Sequence, residues 1–118
     1  MVVVNARSGV ERLSEDEVIN IFLGRYRQFP GGLAAQPIDL ADTHPDKARF
    51  YNGLVGKNLA DIRAYWARLV FSGKTAPPLQ LASPEEVLER VAAERGAIGY
   101  LERSRADGRV RIIMTVHP

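Results

Sequence analysis

The sequence has 118 residues, of which 46% are hydrophobic and 25% charged, a composition typical of a globular domain. Sixteen basic and 14 acidic residues give a net charge of +2, which is too small a surplus to indicate a nucleic-acid-binding protein. The absence of cysteine excludes a disulfide, a thiolate metal ligand and a thiol nucleophile.

The length fits one domain covering residues 1–118. No apolar run approaches the ~20 residues of a membrane-spanning helix, so no membrane span is predicted. The opening residues lack the basic leader and the long apolar segment of a signal peptide. They would fit a mature sequence from which a signal peptide has been removed.

The first half of the chain predicts two strands around a helix. Residues 2–5 are β-branched without alternation, which is typical of a short buried strand. Ser14 followed by Glu17 forms a capping box, and the helix that it opens is predicted to end at Gly24. A second strand is predicted over residues 36–41, where Pro37 lies near the beginning and its missing N–H is tolerated.

Three further helices are predicted from a polar N-cap residue that is followed three positions later by an acid. The N-caps and acids are Thr43 with Asp46, Asn58 with Asp61, and Ser83 with Glu86. The predicted ends of these helices are Gly56, Gly73 and the pair Arg95–Gly96. Two final strands are predicted at residues 97–101 and 110–116, with a polar turn at 105–108 between them.

The helix over residues 58–74 contains Trp66 and carries apolar residues on two opposite stripes. Such a helix is predicted to pack between layers and to form the core. The element order β-α-β-α-α-α-β-β predicts a single three-layer-like α/β lobe. Four helices would flank a small, mainly parallel sheet of about four to five strands. The last strand is predicted to be antiparallel, because the turn before it looks too short for a crossover.

Few residues carry recognisable chemistry. His44 and His117 lack a second ligand at metal-binding spacing, so no metal and no cofactor are predicted. The serines lie mainly at caps and turns, and no nucleophile is paired with a base, so no enzyme is predicted. Basic and aromatic residues alternate at positions 25–29, but the low net charge favours an ordinary solvated loop over a nucleic-acid site.

An anion site at a helix N-terminus has a better physical basis than a metal, catalytic or nucleic-acid site, because free N–H groups there attract negative charge. Two places are candidates, the one beginning at Ser8-Gly9 and the one beginning at Thr43. Arg7 or Arg49 would supply the positive charge.

Several phrases of the sequence, taken together, resemble a known family. They are LSEDEV at 13–18, IFLGR at 21–25, QPIDL at 36–40, SPEEV at 83–87 and GAIGYL at 96–101. This combination resembles the phosphate-type substrate-binding proteins of ABC transporters, in the periplasmic binding protein type 2 superfamily. It is more closely similar to their short, single-lobe relatives.

The resemblance implies an exported, non-enzymatic bacterial protein of the periplasm that is shaped like one half of a two-lobed clamp. In full-length members phosphate lies between the lobes, held by hydroxyls, arginines and helix N-termini. A family segment with an arginine and a Ser-Gly-Thr motif follows the strand that corresponds to residues 37–40. Here that segment reads ADTHPD, so only Thr43 carries over by motif, and Arg49 is a candidate by position.

The sequence thus leads to a solute-binding-like protein of the cell envelope, for phosphate or another small oxyanion. The expected ligand-binding residues are Thr43 and Arg49, then Arg7, Ser8 and Gly9. The alternative is a protein–protein interaction module that keeps the fold, has lost the ligand and docks on an envelope protein or transporter. Exposed aromatics such as Tyr26 and Phe29 favour that alternative.

Overall fold

Short strands and helices alternate around one mixed sheet. The computed structural model describes residues 1–73 and 75–117, and within them the sheet has five strands. The strands are β1 (Val2–Asn5), β2 (Gln36–Leu40), β3 (Leu79–Leu81), β4 (Ala97–Tyr100) and β5 (Val110–Met114). The helices are α1 (Glu15–Phe22), α2 (Pro45–Val55), α3 (Leu59–Ser72) and α4 (Pro84–Ala93), with a 3-10 turn at Arg103–Arg105.

The strand order across the sheet is β3-β2-β4-β1-β5. Strand β2 pairs in parallel with β3 and β4, whereas β1 pairs antiparallel with β4 and β5. Four strands therefore run in one direction and β1 alone runs against them. The predicted α/β class, the mainly parallel sheet and the four helices are confirmed.

The strand that runs against the others was predicted to be the last one, but it is β1. Strand β5 pairs with β1 and not with β4, and it runs in the same direction as β4. The three valines of β1 are fully buried, and an apolar strand of this kind belongs in the middle of a sheet. The connection at residues 101–109 runs beside α4, where Arg105 and Arg109 pair with Glu85 and Glu89 at 2.5 and 3.1 Å. It is long enough to return the chain to the other end of the sheet, which the predicted turn was not.

Strand β3 was missed because its three residues form a short, largely exposed edge directly after two prolines. A pair of prolines is more typical of a rigid connector than of a strand. Only the parallel ladder with β2, in which Ile38 lies opposite Leu79, makes this segment a strand.

Three of the four predicted helix starts are confirmed, at Ser14, Asn58 and Ser83. The fourth is wrong by one residue, since the N-cap of α2 is His44 and not Thr43. His44 Nδ1 accepts a hydrogen bond of 3.1 Å from the Asp46 backbone N–H. Pro45 at the first helical position explains the shift, because a residue before proline is held in extended conformation.

The core lies between the sheet and helices α1, α2 and α4, not around α3 as predicted. In α3 only Ile62 and Trp66 are buried, and Phe71 is 95% exposed. Helix α3 packs by a single face, on which the Tyr65 hydroxyl donates a 2.6 Å hydrogen bond to the Leu23 carbonyl. The second apolar stripe is rich in alanine, and those alanines lie in solvent.

Candidate functional site

The carboxyl ends of β2 and β4 and the start of α2 form one polar cluster. The carboxyl edge of a parallel sheet is where ligands bind in open α/β folds, which makes this edge the first place to look. Its polar side chains are Asp39, Asp42, Lys47, Tyr51 and Tyr100.

Asp39 is the buried centre of the cluster, with 2% of its surface exposed. Its carboxylate accepts a 2.7 Å hydrogen bond from the Tyr51 hydroxyl and another from the Tyr100 hydroxyl. The Leu40 backbone N–H donates a third at 2.8 Å. Burial raises the pKa of Asp39, and Lys47 with the donated hydrogen bonds opposes that rise. Burial and the Asp39 charge also raise the pKa of both tyrosines, so their hydroxyls stay protonated and donate hydrogen bonds.

Lys47 is also buried, at 3% exposure, and joins Asp39 to the surface. Its Nζ lies 2.6 Å from Asp42 Oδ1 and 3.7 Å from Asp39 Oδ2. Arg63 of α3 approaches the other Asp42 oxygen at 3.1 Å. The hydrogen bond from Lys47 is the largest cause of a lowered pKa at Asp42, and Arg63 adds to it. Both Lys47 and Arg63 are therefore paired with the carboxylate of Asp42.

The predicted ligand residues Thr43 and Arg49 lie at this same helix start. Thr43 is exposed, one position before the N-cap. The Arg49 side chain is 61% exposed, and its guanidinium pairs at 3.2 Å with Asp46. Each of the three cations around the start of α2 therefore already has a carboxylate partner.

The other predicted residues, Arg7, Ser8 and Gly9, lie at the opposite end of the sheet, just beyond β1. No helix begins there among the described residues, because α1 starts only at Glu15. The backbone N–H groups form a turn on Asn5, with Arg7 N–H donating to its side chain at 2.7 Å and Ser8 N–H to its carbonyl at 3.0 Å. The structure therefore does not bring the two sets of predicted residues together.

A small pocket of about 150 Å³ opens beside the start of α2. Its wall includes Asp46, Arg49, Phe50 and Tyr100. The rings of Phe50 and Tyr100 stack with centroids 3.9 Å apart, which fixes the apolar side of the pocket. The polar side includes the ion pair of Asp46 with Arg49 and the acid Glu102, so the side chains of the wall carry no excess of positive charge.

Sequence reasoning missed the network around Asp39. A signal was available, because Asp39 interrupts an otherwise apolar strand, and a charge in a buried strand needs partners. Within residues 1–73 and 75–117 no group of three or more histidines and acids is placed to hold a metal ion. In the same residues no helix is both long and apolar enough to cross a membrane.

No protein-family model matches the sequence, and no curated protein matches it significantly. Solved structures do match. The chain superimposes on an ABC-type phosphate transport receptor from Vibrio cholerae with a TM-score of 0.74 and 16% identity, over 95% of this chain. A protein assigned as a phosphate ABC transporter substrate-binding protein from Clostridium perfringens, solved with bound phosphate, gives 0.75 and 16% over 95%.

The chain has the fold of one part of these two structures. The chain spans less than half of such a protein, covering 43% and 42% of the two structures. A possible phosphate binding protein from Planctomyces limnophilus DSM 3776 also matches, with a TM-score of 0.51 and 15% identity over 85% of this chain. At these identities the substrate-binding-protein likeness establishes the fold, and the predicted periplasmic-binding-protein lobe is confirmed.

Proposed function

We propose that the protein is a non-enzymatic binding module of the cell envelope, in which the phosphate position of the substrate-binding-protein fold is closed by the chain's own carboxylates. The observation that carries this proposal is the pairing at the start of α2. Lys47 and Arg63 bind Asp42, and Arg49 binds Asp46. No cation of this group is left for a phosphate.

An incoming dianion would meet the two carboxylates before it met a free cation. Like charges 4 Å apart repel by about 4 kcal/mol near a protein surface. Displacing Asp42 from Lys47 would also leave the buried lysine without its nearest carboxylate partner, which is unfavourable. A phosphate bound here would have to repay both costs, and the exposed Thr43 hydroxyl alone does not.

The fold supports the proposed envelope role. Two of the matched structures are a phosphate transport receptor and a protein assigned as a transporter substrate-binding protein, and both names describe binding and not catalysis. The hydroxyls of Tyr51 and Tyr100 both donate hydrogen bonds to Asp39, so neither is placed to act as a nucleophile. The proposed partner of such a module is an envelope protein or a transporter. Of the two aromatics expected to be exposed, Tyr26 is 50% exposed, whereas Phe29 is buried in the core and offers no docking surface.

Titration of labelled protein with phosphate and then sulfate, followed by amide chemical shifts, tests the closed site. We expect no saturable shift at residues 42–49 at millimolar anion. The variant that combines Asp42→Asn with Asp46→Asn frees the cations, and we expect it to bind phosphate. Saturable shifts at 42–49 in the unaltered protein would refute the closed site. Osmotic-shock release of the full-length protein from its native host checks the envelope assignment separately.

A second candidate is oxyanion binding at Thr43 and Arg49. It is favoured by the exposure of the Arg49 guanidinium, whose pair with Asp46 is worth less than about 1 kcal/mol at the surface. An anion would then compete with Asp46 and leave Asp42 in place. Shifts confined to residues 43–49, and abolished by Arg49→Gln, would decide for this candidate. The same spectra report on Arg7, Ser8 and Gly9.

A further inference from the structure

A larger recess lies between the end of α1, the end of α2 and the first half of α3. Its volume is about 440 Å³, and it shares no wall residue with the smaller pocket beside Arg49. Three cations line it, Arg25, Lys57 and Arg68, together with the single acid Asp61. The wall therefore carries two positive charges in excess.

None of these three cations forms an ion pair within the described part of the chain, residues 1–73 and 75–117. Arg25 donates only to a neutral amide, the Asn20 Oδ1, at 3.2 Å. In the smaller pocket, by contrast, the Arg49 side chain is paired with Asp46 at 3.2 Å. The recess is thus a cavity whose charge is left uncompensated by the protein.

The floor of the recess is apolar and fixed. Ile62 and Leu23 are buried there, and the Tyr65 hydroxyl is held by the Leu23 carbonyl at 2.6 Å. Trp66 packs edge-on against the Tyr65 ring, with centroids 5.4 Å apart. The Tyr65 ring therefore offers a rigid apolar wall beside the charged rim, while its hydroxyl is already used.

We propose that this recess binds a small organic dianion, an apolar or aromatic body that carries a phosphate monoester group. The two excess charges match a dianion, and guanidinium groups bind phosphate oxygens in pairs. The volume falls in the range of small-molecule sites, about 300–1,000 Å³, and an inorganic phosphate would leave most of it filled with water. The site does not depend on the closed position at the start of α2.

Phenyl phosphate is the probe, titrated into the whole chain at low salt by calorimetry and by amide shifts. We expect saturable binding with shifts at residues 23–25 and 57–68, and at least about tenfold weaker binding of inorganic phosphate. Arg68→Gln should weaken phenyl phosphate binding about tenfold, since it removes a charge-assisted pair. Asp61→Asn should tighten it, because the one like charge on the wall is removed.

Arg12→Gln is the matched control, an exposed arginine in the loop before α1 that does not line the recess, and it should leave binding unchanged. The three substituted side chains, Arg68, Asp61 and Arg12, are all exposed, and the urea midpoint of each variant checks that it folds normally. Absence of binding, or binding that is indifferent to both Arg68→Gln and Asp61→Asn, would overturn the proposal. Binding to phosphatidic acid vesicles without binding to phenyl phosphate would assign the site to a lipid headgroup and overturn it as well.

Discussion

Lys47 Nζ lies 2.6 Å from Asp42 Oδ1, and the lysine is buried while the aspartate reaches the surface. The same ammonium group lies 3.7 Å from the buried carboxylate of Asp39. One cation thus links the interior of the sheet to the start of α2. This relationship determines both the stability of the carboxyl edge and the charge that a ligand would meet there.

Lys47→Met should lower the free energy of unfolding by about 3 kcal/mol, because it leaves Asp39 buried without its cation. The methionine fills a similar volume, so the loss reports on charge and not on packing. Urea unfolding followed by circular dichroism measures it. Arg63→Gln is the control, since Arg63 also pairs with Asp42 but is mostly exposed, and it should cost less than about 1 kcal/mol. Equal effects of the two variants would contradict the central role of Lys47.

Tyr51→Phe should lower the free energy of unfolding by about 1–3 kcal/mol. The buried Asp39 oxygen that accepts a hydrogen bond from the Tyr51 hydroxyl would lose that donor. Tyr65→Phe is a matched change on α3, where the hydroxyl donates to a partly buried carbonyl. We expect that change to cost about 1 kcal/mol or less. The difference in urea midpoint between the two variants tests the burial argument, and a larger loss in Tyr65→Phe would refute it.

The two aspartates should give stability opposite dependences on pH. The pKa of Asp42 is lowered from 3.8 in the fold, so its contribution is present above that value and is lost as pH falls below it. The pKa of Asp39 is raised from 3.8, so its contribution is present below that value and is lost as pH rises through the folded pKa. Asp42→Asn should therefore reduce the loss of stability on the acid side. Urea midpoints measured from neutral pH downward check this, and an unchanged acid-side decline in Asp42→Asn would contradict it.

Gly24→Ala should destabilise the protein more than Gly9→Ala. Both glycines have left-handed backbone angles, φ 77° and φ 81°, which cost a side chain about 1–2 kcal/mol. At Gly24 a Cβ would also lie 2.8 Å from the Trp66 ring, whereas at Gly9 it would meet nothing within 4 Å. The difference between the two thermal midpoints isolates the clash. Equal losses would mean that the Trp66 ring moves aside freely.

The features that were predicted correctly from sequence are local ones. The Ser14 and Asn58 starts depend on residues within one helical turn, and so do the ends at Gly56 and Gly73. His44 was missed as a cap although the effect of the following proline is just as local. The error arose because the hydroxyl of Thr43 was given more weight than the restriction that Pro45 imposes on the backbone of His44.

The features that failed depend on distant pairing. The hydrogen bonds of Asp39 join it to residues 12 and 61 positions away, and nothing in a short window indicates those partners. The place of β1 between β4 and β5 is equally invisible to local patterns. The exposure of Phe71 on α3 shows a further limit, since periodicity finds apolar stripes but cannot say which of them meets a neighbour.

The position of β1 has a consequence for synthesis. Val3 pairs with Gly99 on one side and Ile112 on the other, so β1 can pair only after β4 and β5 have been synthesised. While the nascent chain leaves the ribosome, three consecutive valines have no permanent neighbour and present both free edges to other chains. The assembly of the sheet is therefore delayed until β4 and β5 have been synthesised. A chaperone that shields β1 would have to remain bound to it until then.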